Sequence, residues 1–296
     1  MQNLYKKILV PLDGSNAAEI SLPYVEQIAA KLGAEIFVVS VRESDDDADH
    51  LHGYYLDHIV EQIQHQIKDF DPIIQLNIHA DILQGKPAQQ LIRFANEKNI
   101  TLIVMSSYGS SGREPKLLGN IATKVLWSTD RPVLLIRTPA SEEMISQKKL
   151  IQRILVPLDG SKTGETIIQC AEILAKALEA ELVLFQALEP LRTVAGFETV
   201  APYSIPQSKE SIKASAVDYL TALERPLKEK GIKTSIEIVW GSAAERIIEY
   251  SEATTDLVTI SSHGRSGVGR WVFGSVTEKV LQIGDKPTLV ARPVKP

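Results

Sequence analysis

Apolar residues recur along this chain in two rhythms that alternate. Short runs rich in Val, Ile and Leu open at Ile8 and Ile154 and recur at 35–41, 101–106, 133–137, 181–187, 236–240, 257–261 and 288–292, the spelling of strands covered on both faces. Residues 73–83 alternate apolar with polar side chains up to Gly85 and predict a further strand. Between these runs the apolar residues stand three or four apart, as on one face of a helix. Residues 17–32, with Ile20, Tyr24, Val25, Ile28 and Leu32, predict one such helix, and Gly33 its left-handed stop. Residues 87–96, 120–128, 163–178 and 275–283 predict others, and the stretch after Leu51 is helical too. Strand and helix take turns throughout. That order predicts parallel sheets with right-handed crossovers and helices on both faces.

The pattern occurs twice. Ile-Leu-Val-Pro-Leu-Asp-Gly-Ser occupies residues 8–15 and returns unchanged at 154–161. Each copy is a strand that breaks at a proline and runs through turn residues to a serine suited to cap a helix. One domain has been written twice: residues 1–138 and 151–296 are the expected domains, each with a five-stranded parallel sheet, and 139–150, polar and without a strong helical pattern, the linker. Residues 190–209, rich in Pro, Gly and Ser, lengthen the second half and read as a loop over the mouth of its sheet.

Composition narrows the function classes. A 296-residue chain that is 44% hydrophobic and 23% charged can build two ordinary cores. Its net charge of −5 supplies no basic field for a nucleic-acid backbone, so nucleic acid is not an expected partner. No apolar stretch is long enough to span a membrane or to serve as a signal region, and the chain reads as cytoplasmic. Cys170 is the only cysteine, which excludes an intrachain disulfide, and its apolar helical setting predicts a buried, inert thiol. Five of the six histidines lie between His50 and His79, where a solvated helix face explains them better than a metal site.

In open parallel sheets the binding crevice lies at the carboxyl ends of the strands, where strand order reverses. Three stretches of each half end there: the Asp-Gly-Ser turn, the end of the second strand, and a glycine-bearing loop after the fourth. In the second half that loop, residues 261–276, holds Gly264, Gly274, Arg265 and Arg270 and no acidic residue, and it runs into a helix at Ser275. Glycines let backbone amides approach an oxyanion, and a helix start attracts phosphate, so the stretch can cradle a polyphosphate. It is not a Walker A loop, since the chain contains no Gly-Lys-Ser/Thr.

The repeated Val-Pro-Leu-Asp-Gly-Ser, with a glycine loop after strand four, resembles the universal stress protein family in its tandem two-domain form, over nearly the whole chain. The ATP-binding branch of that family carries Gly-x-x-Gly, nine residues, then Gly-Ser or Gly-Thr. Gly264, Gly274 and Ser275 fit that spacing, with Ser261 in place of the leading glycine; Gly109 and Gly119 keep the gap, with Ser106 and Asn120 as departures. The resemblance implies a Rossmann-like fold and an ATP site, with or without Mg2+. Asp159 and Asp13 would face the adenine beside Pro157 and Pro11, with the backbone at Ala187 and Val41 at the edge of the base and Ser261 and Ser106 near the ribose. Gly264, Gly274, Ser275, Val276 and Arg270 would hold the phosphates, as Gly109, Gly119, Asn120 and Ile121 would in the first half. Without the resemblance, each aspartate reads simply as a turn former.

Glu114 and Pro115 in the first loop repel phosphate and remove an amide donor, so the second half is the expected stronger site. The resemblance further implies that strands 133–137 and 288–292 pair within the chain as an internal pseudo-dimer, that two chains assemble as a homodimer, and that an unknown protein partner reads the bound state. The expected role is nucleotide-dependent stress-response regulation with slow hydrolysis at most, since no base for an attacking water is legible. Two rivals stay open: an interaction module with an empty pocket, and an ATP-dependent ligase or hydrolase.

Overall fold

The computed structural model describes residues 4–43, 49–70, 72–109, 118–189, 208–264 and 273–293. The first half runs β1 (Lys7–Pro11), α1 (Asn16–Glu19), α2 (Leu22–Leu32), β2 (Glu35–Arg42), α3 (Asp49–Phe70), β3 (Ile78–Gln84), α4 (Pro87–Glu97), β4 (Leu102–Ser106), α5 (Asn120–Ser128) and β5 (Val133–Ile136). After α6 (Glu142–Ser146) the second half repeats it as β6 (Arg153–Pro157), α7 (Lys162–Glu165), α8 (Ile167–Leu178), β7 (Glu181–Leu188), α9 (Lys209–Glu229), β8 (Thr234–Trp240), α10 (Ala243–Thr254), β9 (Leu257–Ser261), α11 (Ser275–Ile283) and β10 (Thr288–Ala291).

Four elements depart from the sequence reading. The helices expected over 17–32 and 163–178 are each two, and a hydroxyl closes both joints: Ser21 Oγ donates to the Ala18 carbonyl at 2.8 Å and Thr166 Oγ1 to the Thr163 carbonyl at 2.7 Å, with Pro23 lacking an amide at the first joint as well. The third strand begins at Ile78 rather than at residue 73: its partner β2 starts at Glu35, Ile36 pairs with Ile78, and Ile73 is left 87% exposed. Residues 139–150 contain α6, whose start Ser141 caps by accepting the Met144 amide at 3.2 Å. Most of 190–209, the loop read as covering the mouth of the sheet, lies outside the described residues.

The ten strands of the described residues form one sheet in the order β3-β2-β1-β4-β5-β10-β9-β6-β7-β8. Within each half every pairing is parallel, and the halves meet where β5 and β10 pair antiparallel, Leu134 opposite Leu289 and Val133 opposite Val290. Successive side chains of these strands point to opposite faces, so Leu134 and Leu289 join one core while Val133 and Val290 join the other. One face carries α2, α3, α8 and α9, the other α4, α5, α10 and α11, and each core runs through both halves.

Side chains reinforce the joint. Arg137, buried and with its pKa lowered by desolvation, donates to the carbonyl of Leu281, and Arg292 donates to that of Trp127. Trp127 meets Phe273 edge-on with ring centroids 4.9 Å apart. On the other face α2 packs against α8, Gln27 Nε2 donates to the Lys148 carbonyl at 2.8 Å, and the Tyr5 hydroxyl donates to the Cys170 carbonyl at 3.3 Å. The Cys170 thiol is buried, and burial pushes its pKa up, as an inert cysteine requires.

Removing side chain from this joint should therefore unfold both halves together. Leu289→Ala is expected to cost about 2–5 kcal/mol, read as a lower urea midpoint in a single transition; two separated transitions would contradict a shared core. Glu26 on α2 supplies a pH test. It is 5% exposed, its Oε1 has no hydrogen-bond partner among the described residues, and burial pushes its pKa from 4.5 to about 7. Stability is fully present below 4.5, falls as the pH rises from there through about 7 while the unfolded chain releases the proton first, and is level above. Glu26→Gln is expected to flatten that slope and to stabilise the protein at pH 8 by up to about 3 kcal/mol, measured by denaturant titration across pH.

Candidate nucleotide crevices

Strand order reverses between β1 and β4 in the first half and between β6 and β9 in the second. At each switch point the repeated octapeptide builds the same turn. Asp13 Oδ1 accepts the Ser15 amide at 3.1 Å and the Ser15 hydroxyl at 2.5 Å; Asp159 Oδ1 accepts the Ser161 amide at 3.0 Å and its hydroxyl at 2.6 Å. The serine oxygens in turn cap the next helix, accepting the amides of Ala18 at 3.2 Å and Gly164 at 3.0 Å. Each aspartate is thus a turn former in fact, held by a cap that its own serine completes.

The second carboxylate oxygen reaches across the switch point. A Cβ built on Gly109 would lie 2.3 Å from Asp13 Oδ2, and one on Gly264 would lie 2.3 Å from Asp159 Oδ2. Only glycine lets the loop after the fourth strand approach so closely. That loop is closed again at its far end, where the Gly119 amide donates to the Ser107 carbonyl at 2.6 Å and the Gly274 amide to the Ser262 carbonyl at 3.0 Å. Gly119 and Gly274 are the N-caps of α5 and α11, and neither helix has a side-chain cap. Their first amides are therefore available to an anion.

In the first half these parts enclose a cavity of about 800 Å3. Pro11, Asp13, Val41, Ser106, Gly109, Gly119, Asn120 and Ile121 all line it, so the tertiary structure gathers every residue singled out in that half. Ser106 is buried and its hydroxyl is donated to the Tyr108 carbonyl, which commits it to the loop. In the second half Pro157 ends β6, Ala187 lies in β7, Ser261 ends β9, and Ser275 and Val276 open α11, the positions matching those of the first half. Ser261 differs from Ser106: its buried Oγ has no partner among the described residues. His263 Nδ1 lies 2.8 Å from Ser262 Oγ. Arg270 and Arg265 fall outside the described residues, as do Glu114 and Pro115.

Sequence reasoning missed Lys86, Glu43 and Lys124, which also line the first cavity. Lys86 stands just before Pro87, and proline at a first helical position marks a helix opening toward the same crevice. Lys124 lies four residues after Asn120, on the same side of α5. Two of the other histidines are engaged locally: His79 Nε2 is 2.8 Å from Glu35 Oε1 with its ring stacked on Phe37, and His52 Nδ1 is 3.3 Å from Ser40 Oγ.

The close approach of Asp159 makes a direct test. Gly264→Ala is expected to cost about 1–3 kcal/mol, because the carboxylate it strikes is short and pinned by two hydrogen bonds. Gly274→Ala, whose Cβ would meet nothing nearer than 3.8 Å, is expected to be nearly neutral. Thermal melts of both variants check the contrast, and equal losses would remove the contact from the account.

Comparison with known proteins agrees with this geometry. The model of the universal stress protein family matches the chain twice, over residues 4–137 and 150–292. Universal stress protein Slr1230 of Synechocystis is 26% identical over 97% of this chain and the whole of its own length, and MJ0531 of Methanocaldococcus jannaschii is 30% identical over 48% of this chain and 87% of its own. Among solved structures, a universal stress protein from Archaeoglobus fulgidus superposes with a TM-score of 0.67 at 21% identity, covering 98% of this chain and 99% of that one. A twice-matched family model, a relative aligned from end to end, and one fold shared along the whole chain lead to one conclusion: this chain belongs to the universal stress protein family, as a tandem of two such domains.

Proposed function

We propose that the chain binds an adenine nucleotide, ATP with or without Mg2+, in the crevice of each half, and that occupancy regulates a stress response through a protein partner. The observation that carries the reading is the first-half cavity. Its volume of about 800 Å3 suits a nucleotide, and it runs from the carboxyl ends of β1 and β2 to the uncapped start of α5, an apolar-walled slot that ends in an anion-binding helix terminus. Pro11, Val41 and Asp13 would contact the base, and the amides at Asn120 and Ile121 the phosphates. In the second half Pro157, Ala187, Asp159, Gly274, Ser275 and Val276 would take the same parts, with Arg270 added.

Hydrolysis is slow in this reading. The aspartate at each switch point is occupied by its serine and pressed against a glycine, which suits it to hold a turn and a ligand edge better than to activate water. Mg2+ would arrive with the phosphates: among the described residues no group of His, Cys, Asp and Glu is gathered to hold a metal ion. The loop sequences favour the second crevice and the lysines the first, so both are proposed to fill.

Isothermal titration of the full chain with ATP is expected to show binding in both halves, and ATP at about 100 times its Kd to stabilise the fold by about 2.7 kcal/mol, seen as a raised melting temperature. Asp13→Ala and Asp159→Ala together are expected to abolish the shift. A melting temperature unmoved by saturating ATP in the unaltered protein would end this reading.

A further inference from the structure

The cavity of the first half is charged unevenly. Asp13 and Glu43 line it just past the ends of β1 and β2, while Lys86 and Lys124 line it from the start of α4 and the first turns of α5, two helices that pack against each other. Lys86 is itself the N-cap of α4 and makes no side-chain cap there, so two helix N-termini and two lysines border one cavity. Neither lysine has an ion-pair partner among the described residues.

The second half is wired differently at the same positions. Ser242 is the N-cap of α10 where Lys86 caps α4. Lys279 is the fifth residue of α11 as Lys124 is of α5, but it is held by Glu245, with Nζ 2.9 Å from Oε1. Glu245 is the third residue of α10, where α4 carries Gln89. One glutamate thus engages the second half's lysine, and the first half has a neutral amide in its place.

We propose that Lys86 and Lys124 form a phosphate subsite particular to the first crevice, which makes that crevice select adenine nucleotides by phosphate charge. The second crevice, its lysine already paired, selects by the base and by the backbone amides of its loop. This inference rests on the nucleotide reading of the crevices. The physical ground is that an ammonium group facing a polyanion in a partly enclosed cleft gains with each added phosphate charge, whereas an ammonium already neutralised by a carboxylate gains little.

The test uses the full chain with the second crevice closed by Gly264→Val, or by Asp159→Ala should the valine variant fail to fold, titrated with ATP and with AMP. In that background Lys86→Ala with Lys124→Ala is expected to weaken ATP binding by about tenfold or more and AMP binding by less than about threefold, with the ATP term fading as salt is raised. A reciprocal experiment closes the first crevice with Gly109→Val and frees the second lysine with Glu245→Gln, which is expected to tighten ATP relative to AMP by about tenfold. Equal losses for the two nucleotides, no loss for either, or no binding by the first crevice when the unaltered chain binds ATP would each overturn the subsite and leave the nucleotide reading intact in the second half. Failure of the unaltered chain to bind ATP would overturn both.

Discussion

The antiparallel pairing of β5 with β10 is the constraint on which the rest of the molecule hangs. Both are short, Val-Leu-Leu-Ile and Thr-Leu-Val-Ala, apolar but for Thr288 and with every residue buried. As the last strand of a separate domain, either would present an unpaired, hydrophobic sheet edge to water, with its backbone groups open to any other chain. Pairing them covers both edges with the same contact. The consequence is one sheet and two cores that each pass through both halves, with Arg137 and Arg292 reaching across to carbonyls of the opposite half.

That joint leaves the switch points untouched. Each lies two strands in from the shared edge, where β1 and β4, or β6 and β9, send their chains away in opposite directions and open a crevice between their ends. The octapeptide then fixes the floor of the crevice. Because the aspartate is held from one side by its serine and fills the space beside a glycine on the other, the turn and the loop after the fourth strand are set in one position. Preorganisation of this kind lowers the entropy cost of holding a ligand.

Duplication kept the frame and let the lining diverge. The turn geometry agrees between halves to about a tenth of an ångström in its hydrogen bonds, since the same eight residues write it twice. The walls do not agree. Ser106 spends its hydroxyl within the loop while Ser261 keeps its own unpartnered, and an ion pair binds the lysine of one half but not of the other.

The sequence by itself determined the duplication, the order of strands and helices, the serine caps at Ser15 and Ser161, and the glycines that the loops require, because each of these is written in residues close together along the chain. It also overextended three elements, the helices over 17–32 and 163–178 and the strand from residue 73, where a local rhythm continued past the point at which a turn closed by a hydroxyl or an absent neighbour strand ended the structure. Only the tertiary structure decided that Lys86 and Lys124, from two different helices, line one cavity, that Glu245 pairs with Lys279, and that Glu26 is buried. Side-chain pairing and desolvation depend on which distant segments meet, and hydrophobic periodicity, a property of neighbours in the chain, carries no record of that meeting.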